Sequence, residues 1–190
     1  MNNNGKNNEI ATLANGCFWC SDAIFKRLKG VKSVLPGYSG GLVKNPSYNQ
    51  VCKGKTGYAE SIQIEFNPKI IPFEKILDIF WRTHDPTTLN RQGNDIGTQY
   101  RSVIFYHDQR QKEIAEKSKK ELENEGVYKD PIVTEITPFS NFYVAEDYHK
   151  NYYDNHQDAP YCSFVIDPKV HKLLLNYGND VKDDYKYLRL

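Results

Sequence analysis

The sequence contains no apolar run as long as a membrane-spanning helix, and its first eight residues are polar and rich in asparagine, unlike a signal peptide. Its net charge of +1 shows no excess of either sign, which favours neither nucleic acid nor a membrane as a partner. From these absences we expect a cytoplasmic monomer with a disordered tail, residues 1–8. Residues 9–190 are expected to form a single domain that includes a C-terminal extension.

Cysteine is scarce, with four residues in a chain of 190. Without an export signal, this number argues against a structural disulfide framework and for a reducing compartment. The thiols are therefore expected to be catalytic, metal-bound or inert. Structural zinc commonly uses two closely spaced pairs of ligands, and here only Cys17 and Cys20 are paired. We therefore expect no metal site.

Hydrophobic patterning predicts an α+β fold. Strands are predicted over residues 10–14, 30–37, 59–66, 100–106 and 132–136, and helices over 21–28, 72–84, 108–126, 145–155 and 170–175. The initial order, β-α-β-β-α-β, predicts a ferredoxin-like two-layer sandwich with a mixed sheet. Long loops over residues 37–57 and 88–98 are expected to be functional, since loops of this length inside a domain usually are.

The segment 15–20 joins the first predicted strand to the first predicted helix. Asn15 and Gly16 supply a tight turn, which places Cys17 near the start of the helix. Unpaired backbone N–H groups and the helix dipole favour a thiolate there, and this placement is a recognised way to lower a cysteine pKa. Phe18 and Trp19 suggest an apolar pocket around a nucleophile. From these residues alone, a buried structural cysteine is an equally good interpretation.

Several blocks of the chain resemble, in order and spacing, those of peptide methionine sulfoxide reductases of the A type. The blocks are residues 16–19, 37–41, 45–48, 56–60, 84–87, 92–102 and 142–149. The resemblance extends from about residue 10 to about residue 162. The chain departs from the common pattern at Cys20, where glycine is more usual, and at Tyr58, where histidine is more usual.

The resemblance implies an enzyme that reduces the S epimer of methionine sulfoxide, free or in oxidised proteins, and so repairs oxidative damage. Cys17 matches the family's nucleophile, which attacks the sulfoxide sulfur. Glu60 matches the acid that protonates the departing oxygen. Tyr48 and Tyr100 match tyrosines that hydrogen-bond this oxygen.

Three further positions take roles from the resemblance. Asp95 matches a residue that orients the site, while Phe18 and Trp19 would enclose the substrate methyl group. Without the resemblance, Glu60 would be interpreted as a solvated charge and Asp95 as a turn residue.

The product of the reaction is a sulfenic acid on Cys17, which condenses with a second thiol to give a disulfide. Cys162 lies near the position where many family members carry this resolving cysteine, and it is favoured. Cys20, which forms a C-x-x-C pair with Cys17, is the alternative, whereas Cys52 matches a bystander position. No bound cofactor is expected, and the reductant would be thioredoxin or another dithiol.

Two other functions fit parts of the sequence. A thiol–disulfide oxidoreductase would use Cys17 and Cys20 but would leave Glu60, Tyr48 and Asp95 without a role. A zinc-stabilised binding module would need a second pair of ligands, which the sequence does not supply.

Overall fold

A six-stranded mixed sheet forms the centre of residues 8–186, the part of the chain that the computed structural model describes. The strands of the described part are β1 (Glu9–Asn15), β2 (Val31–Ser39), β3 (Ala59–Phe66), β4 (Arg91–Gln92), β5 (Asp95–Ile96), β6 (Ser102–Tyr106), β7 (Glu135–Pro138) and β8 (Phe142–Val144). The order in the large sheet is β7-β6-β1-β3-β2-β8, with β6 and β7 parallel and the other neighbours antiparallel. Strands β4 and β5 form a separate hairpin.

The helices of residues 8–186 pack on this sheet and on one another. They are α1 (Phe18–Phe25), α2 (Tyr48–Cys52), α3 (Phe73–Thr83), α4 (Gln109–Glu125), α5 (Tyr152–Asn155) and α6 (Asp167–Tyr177), with a π-helical turn over Cys162–Ile166. Helix α1 is buried along almost its whole length because it contacts β2 and β3 on one side and α5 and α6 on others. The α+β class and the mixed sheet predicted from the sequence are thereby confirmed.

The elements with the clearest local signals are confirmed. In β3, the alternation predicted for residues 59–66 places Ile62, Ile64 and Phe66 in the core. Helix α4 begins where the Asp108 carboxylate accepts a hydrogen bond from the Gln111 N–H (2.7 Å) and ends at Gly126, whose φ is +63°.

The helix predicted over residues 145–155 is wrong. A 3₁₀ turn over Asp147–His149 is followed by extended backbone at Lys150 and left-handed backbone at Asn151 (φ +53°), so only the short helix α5 remains. Tertiary contacts explain this interruption. The Glu146 carboxylate accepts hydrogen bonds from the Tyr38 hydroxyl (2.8 Å) and the Tyr48 N–H (2.9 Å), and His149 is fully buried.

Other boundaries also differ from the prediction. Helix α1 begins at Phe18, three residues earlier than predicted, and α6 is longer than the predicted tail helix. The strand predicted over residues 132–136 lies at Glu135–Pro138, while α2 and β8 were not predicted. Residues 1–7 of the predicted tail lie outside the described residues. Asn8 donates a hydrogen bond to Glu65 (2.7 Å).

Within residues 8–186, every helix is too short or too polar to cross a membrane.

The C-terminal part of the chain is fastened to the end of α1 through Arg27. This side chain is fully buried, donates to the Asp154 carboxylate (2.6 Å) and lies over the rings of Tyr153 and Tyr185. Backbone hydrogen bonds add to the attachment, because the Lys182 N–H donates to the Arg27 carbonyl (2.9 Å). These contacts hold α5 and the segment around Tyr185 against the end of α1.

We predict that Arg27→Ala lowers the free energy of unfolding by about 3 kcal/mol, because it removes a fully buried side chain that packs on two tyrosine rings and leaves a cavity in its place. Urea denaturation measures this loss. The control is Arg110→Ala. It breaks the ion pair between Glu9 and Arg110, whose side chain is half-exposed, and should lower the free energy of unfolding by less than about 1 kcal/mol. Equal losses in the two variants would contradict the proposed attachment.

Candidate active site

Cys17 lies in the tight turn between β1 and α1, as predicted. Gly16 has a φ of +95°, and a Cβ atom there would lie 2.7 Å from the Cβ of Gln92, so the position requires glycine. Cys17 has extended backbone and occupies the N-cap position of α1, where its carbonyl accepts from the Cys20 N–H (3.1 Å). The Cys17 side chain is almost completely buried.

Glu60 lies beside Cys17 at the start of the same helix. Its carboxyl group, 1% exposed, accepts a hydrogen bond from the Phe18 N–H (3.1 Å). Burial raises the pKa of Glu60 to about 8, the Phe18 N–H opposes this shift, and the charges of Asp95 and Cys20 add to it. Glu60 therefore carries a proton at neutral pH and is able to donate it.

The expectation of a lowered Cys17 pKa is wrong for this state of the protein. Burial raises the pKa of Cys17 well above its usual range, and the side-chain hydrogen bond with Cys20 and the nearby Glu60 raise it further. The same hydrogen bond with Cys17 lowers the pKa of Cys20 to about 7, although burial opposes this. Desolvation at Cys17 thus outweighs the favourable helix start, and the hydrogen bond between the two thiols favours the thiolate on Cys20.

Tyr48 lies in the first of the two long loops predicted from the sequence, and Tyr100 lies two residues after the second. Tyr48 begins α2, and Tyr100 ends a 3₁₀ turn over Thr98–Tyr100. Burial raises the pKa of both phenols, and both are near enough to Glu60 for its charge to raise them further. Both hydroxyls therefore remain protonated, which suits them to donate hydrogen bonds.

Aromatic rings surround the beginning of α1. Phe18 is buried with its ring centre 4.8 Å from that of His149. Trp19 stacks on Tyr152, with ring centres 3.6 Å apart, and its indole N–H donates to the His149 Nδ1 (3.0 Å). Because burial lowers the pKa of His149, its ring is suited to accept this bond. The indole is thus fixed in orientation.

Asp95, on the β4–β5 hairpin, accepts a hydrogen bond from the Tyr161 hydroxyl (2.7 Å). The Tyr161 ring meets the Trp19 ring edge to face, with centres 5.7 Å apart. The sequence analysis did not identify Tyr161, His149 or Glu146 as site residues. His149 and Glu146 lie in the block 142–149, so the resemblance could have indicated them. For Tyr161 the only available signal was its position directly before Cys162.

All four cysteines are free thiols in this structure. Cys20 pairs with Cys17 one helical turn away, while Cys162 begins the π-helical turn and is fully buried. Burial raises the pKa of Cys162, and the charges of Asp167 and Cys20 raise it further. Cys52 lies at the end of α2 and is half-buried. Among residues 8–186, no three histidine, cysteine, aspartate or glutamate side chains are grouped as a metal ion would need.

Comparison with curated proteins finds close relatives over most of the chain. The peptide methionine sulfoxide reductase MsrA of Sulfolobus acidocaldarius is 56% identical over 169 residues, which cover 89% of this chain and 95% of the relative. The MsrA of Saccharolobus solfataricus is 55% identical over 174 residues, covering 92% and 97%.

Solved structures share the fold. The reduced form of Mxr1 from Saccharomyces cerevisiae is 37% identical, with a TM-score of 0.76 over 82% of this chain and 89% of that one. Mxr1 in complex with Trx2 is 28% identical, with a TM-score of 0.55 over 76% and 84%. The sequence model of the family described as peptide methionine sulfoxide reductase matches residues 9–181. This chain therefore belongs to the peptide methionine sulfoxide reductase family and is an oxidoreductase that reduces methionine sulfoxide.

Proposed function

We propose that Cys17 and Glu60 together reduce the S epimer of methionine sulfoxide, free and in oxidised proteins. The observation that carries this assignment is the protonated Glu60 carboxyl, buried beside Cys17 at the start of α1. A sulfoxide oxygen leaves only when it gains a proton, and a carboxyl with a raised pKa is suited to supply it. Because the site excludes water, the proton is kept for the substrate.

The first step transfers the oxygen from methionine to cysteine. The Cys17 sulfur attacks the sulfoxide sulfur while Glu60 gives its proton to the oxygen, and the Cys17 thiol proton replaces it on Glu60. The new S–S bond and the S–O bond of the adduct then break as the protonated oxygen moves to the Cys17 sulfur, so the sulfoxide is reduced to a thioether and Cys17 is oxidised to a sulfenic acid that carries the transferred oxygen. Both protons are available because burial raises the pKa of each group.

The remaining site residues hold the substrate in this mechanism. Tyr48 and Tyr100 donate hydrogen bonds to the oxygen as negative charge develops on it. Phe18 and Trp19 form an apolar wall for the methyl group. Asp95 orients the site through the Tyr161 hydroxyl.

Two cysteines are proposed for the return to the reduced state. Cys20 is next to Cys17 and has a lowered pKa, which favours it as the thiolate that attacks the sulfenic acid. Cys162, favoured in the sequence analysis, is near enough for the charge of Cys20 to affect it and is suited to a later exchange. The reductant is thioredoxin or a similar dithiol, which the complex of the related Mxr1 with Trx2 supports. No bound cofactor enters this scheme.

The architecture proposed behind this scheme is a single catalytic domain over residues 9–190, with a ferredoxin-like core and a C-terminal extension whose last residues, 187–190, lie outside the described part of the chain. In support, β6, β1, β3 and β2 are neighbours in that order and antiparallel, which is the arrangement expected of a β-α-β-β-α-β unit. The protein acts as a cytoplasmic monomer that binds neither nucleic acid nor membranes. The near-neutral net charge supports the absence of these two partners.

Single cysteine variants test the proposed roles of the thiols. With dithiothreitol as reductant, Cys17→Ser should release no methionine from methionine S-sulfoxide, because the nucleophile is lost. Cys20→Ser and Cys162→Ser should retain turnover, since a small dithiol reduces the sulfenic acid directly. With thioredoxin, Cys20→Ser should lose turnover, because no Cys17–Cys20 disulfide forms. The measurement is methionine release under steady-state conditions.

Cys52→Ser is the matched control and should keep turnover with both reductants. Activity surviving in Cys17→Ser would refute the assignment of the nucleophile. Normal thioredoxin-driven turnover in Cys20→Ser, together with its loss in Cys162→Ser, would assign the first disulfide to Cys162 instead.

The dependence of the first step on pH tests the role of Glu60. Because the reacting carboxyl must be protonated, the single-turnover rate should be level below its pKa of about 8 and fall as the pH rises above it. Glu60→Gln should slow this step by about 10²- to 10⁴-fold, the usual contribution of a general acid, and remove the break near this pH. Rapid-quench measurement of methionine release gives both results.

Glu65→Gln, a change on the same strand outside the site, is the control and should keep the wild-type profile. A Glu60→Gln protein with an unchanged rate would contradict the proton transfer.

A further inference from the structure

The Tyr161 hydroxyl lies where Asp95 and the thiol pair meet. It donates to the Asp95 Oδ2 over 2.7 Å and lies 4.0 Å from the Cys20 Sγ, at the outer limit of a hydrogen bond to sulfur. The edge contact between the Tyr161 and Trp19 rings fixes the phenol in this place. One hydroxyl therefore connects a carboxylate with the proposed resolving cysteine.

Cys20 is almost completely buried, so water does little to stabilise its thiolate. The titratable and charged groups that face it come from four other parts of the fold besides its own helix. They are Cys17 of α1, Glu60 of β3, Asp95 of β5, Tyr161 and Cys162 at the π-helical turn, and Lys169 of α6. Of these, Lys169 and the hydrogen bonds from Cys17 and Tyr161 favour the thiolate, while Asp95 opposes it.

We propose that Tyr161 is a positioning residue that prepares Cys20 for its attack on the oxidised Cys17. The proposal rests on the proposed function and adds a part in the second half-reaction to the link between Tyr161 and Asp95. In that step the Cys20 sulfur forms a bond to the Cys17 sulfur as the S–O bond of the sulfenic acid breaks. The departing hydroxide and the proton that Cys20 has given up form water, so two thiols are oxidised to one disulfide.

The position of the hydroxyl explains how it acts in both protonation states of Cys20. A phenol has one proton and can also accept a hydrogen bond. While Cys20 is a thiol, the hydroxyl donates to Asp95 and its oxygen faces the Cys20 Sγ. When Cys20 loses its proton, rotation about the C–O bond directs the hydroxyl proton to the sulfur. Without the hydroxyl, the thiolate loses this donor and faces a carboxylate that has itself lost a partner.

Tyr161→Phe tests this role because it removes the hydroxyl and keeps the ring on Trp19. Residue-resolved mass spectrometry after brief exposure of the reduced protein to methyl methanethiosulfonate, from pH 5 to 10, measures the reactivity of Cys20. We expect the midpoint of the pH dependence of Cys20 labelling to be about one pH unit higher in Tyr161→Phe than in the wild type. After one equivalent of methionine S-sulfoxide, disulfide formation near pH 7 should be about fivefold slower, because a rise of one unit from a pKa of about 7 lowers the thiolate fraction at this pH from about one half to about one tenth. Methionine release in the same experiment measures the first half-reaction separately, and disulfide formation should be slowed more than methionine release.

Tyr153→Phe is the matched control. It removes a tyrosine–aspartate hydrogen bond, to Asp167 (2.5 Å), from the same part of the chain, and Asp167 is not among the groups that face Cys17 and Cys20. It should leave the Cys20 profile and the disulfide rate unchanged. Identical Cys20 profiles in the two variants would overturn the role of Tyr161. The thiol reactivity is measured without substrate, so failure of the wild type to release methionine would refute the proposed function separately.

Discussion

The site depends on one constraint, which is the burial of an ionisable carboxyl group under the first turn of α1. Strand β3 places Glu60 so that it accepts a hydrogen bond from the Phe18 N–H, directly after Cys17, the proposed nucleophile. The backbone donor and the helix start favour the charged form, yet burial outweighs them and the group keeps its proton up to a pH of about 8. The Glu60 carboxyl group thus has one proton to donate at the place where, in the proposed mechanism, the sulfoxide oxygen leaves.

In the proposed mechanism, the same exclusion of water divides the two half-reactions between the sulfur atoms of Cys17 and Cys20. Cys17 is held as a thiol by desolvation, which preserves its proton for the oxygen transfer. Cys20, one turn along the helix, receives favourable contacts from Cys17, Lys169 and Tyr161 and has a pKa of about 7. Cys17 is therefore suited to attack the sulfoxide that Glu60 protonates. Cys20 is suited to form a disulfide afterwards. The C-terminal part of the chain, fastened through Arg27, supplies Tyr161 to this arrangement.

How far the sequence predicts this structure depends on whether a feature is local. The alternation in β3 and the two caps of α4 are signals within a few residues, and both elements form as predicted. The turn at Gly16 is equally local, so the place of Cys17 was predictable. The interruption after His149 was not, because hydrogen bonds to Glu146 from residues about 100 positions away decide it.

The electrostatics of the site were the least predictable part. A helix start favours a thiolate in any sequence, but whether desolvation exceeds this effect depends on side chains from distant strands and loops. The hydrogen bond between Tyr161 and Asp95 joins positions 66 residues apart, and no local sequence pattern predicts it. Family resemblance supplied the roles of Glu60, Tyr48 and Tyr100, and it could not supply Tyr161 in the same way because the matched blocks end before it.

The protonation of Glu60 in the resting protein is the central claim and is open to direct measurement. Infrared difference spectra between the wild type and Glu60→Gln isolate the carbonyl stretch of this one carboxyl group. The account predicts that the band of the protonated acid is present at pH 6 and disappears with a midpoint at about pH 8. A Glu60 that is already ionised at pH 6 would contradict it, since no proton would then be available for the sulfoxide oxygen.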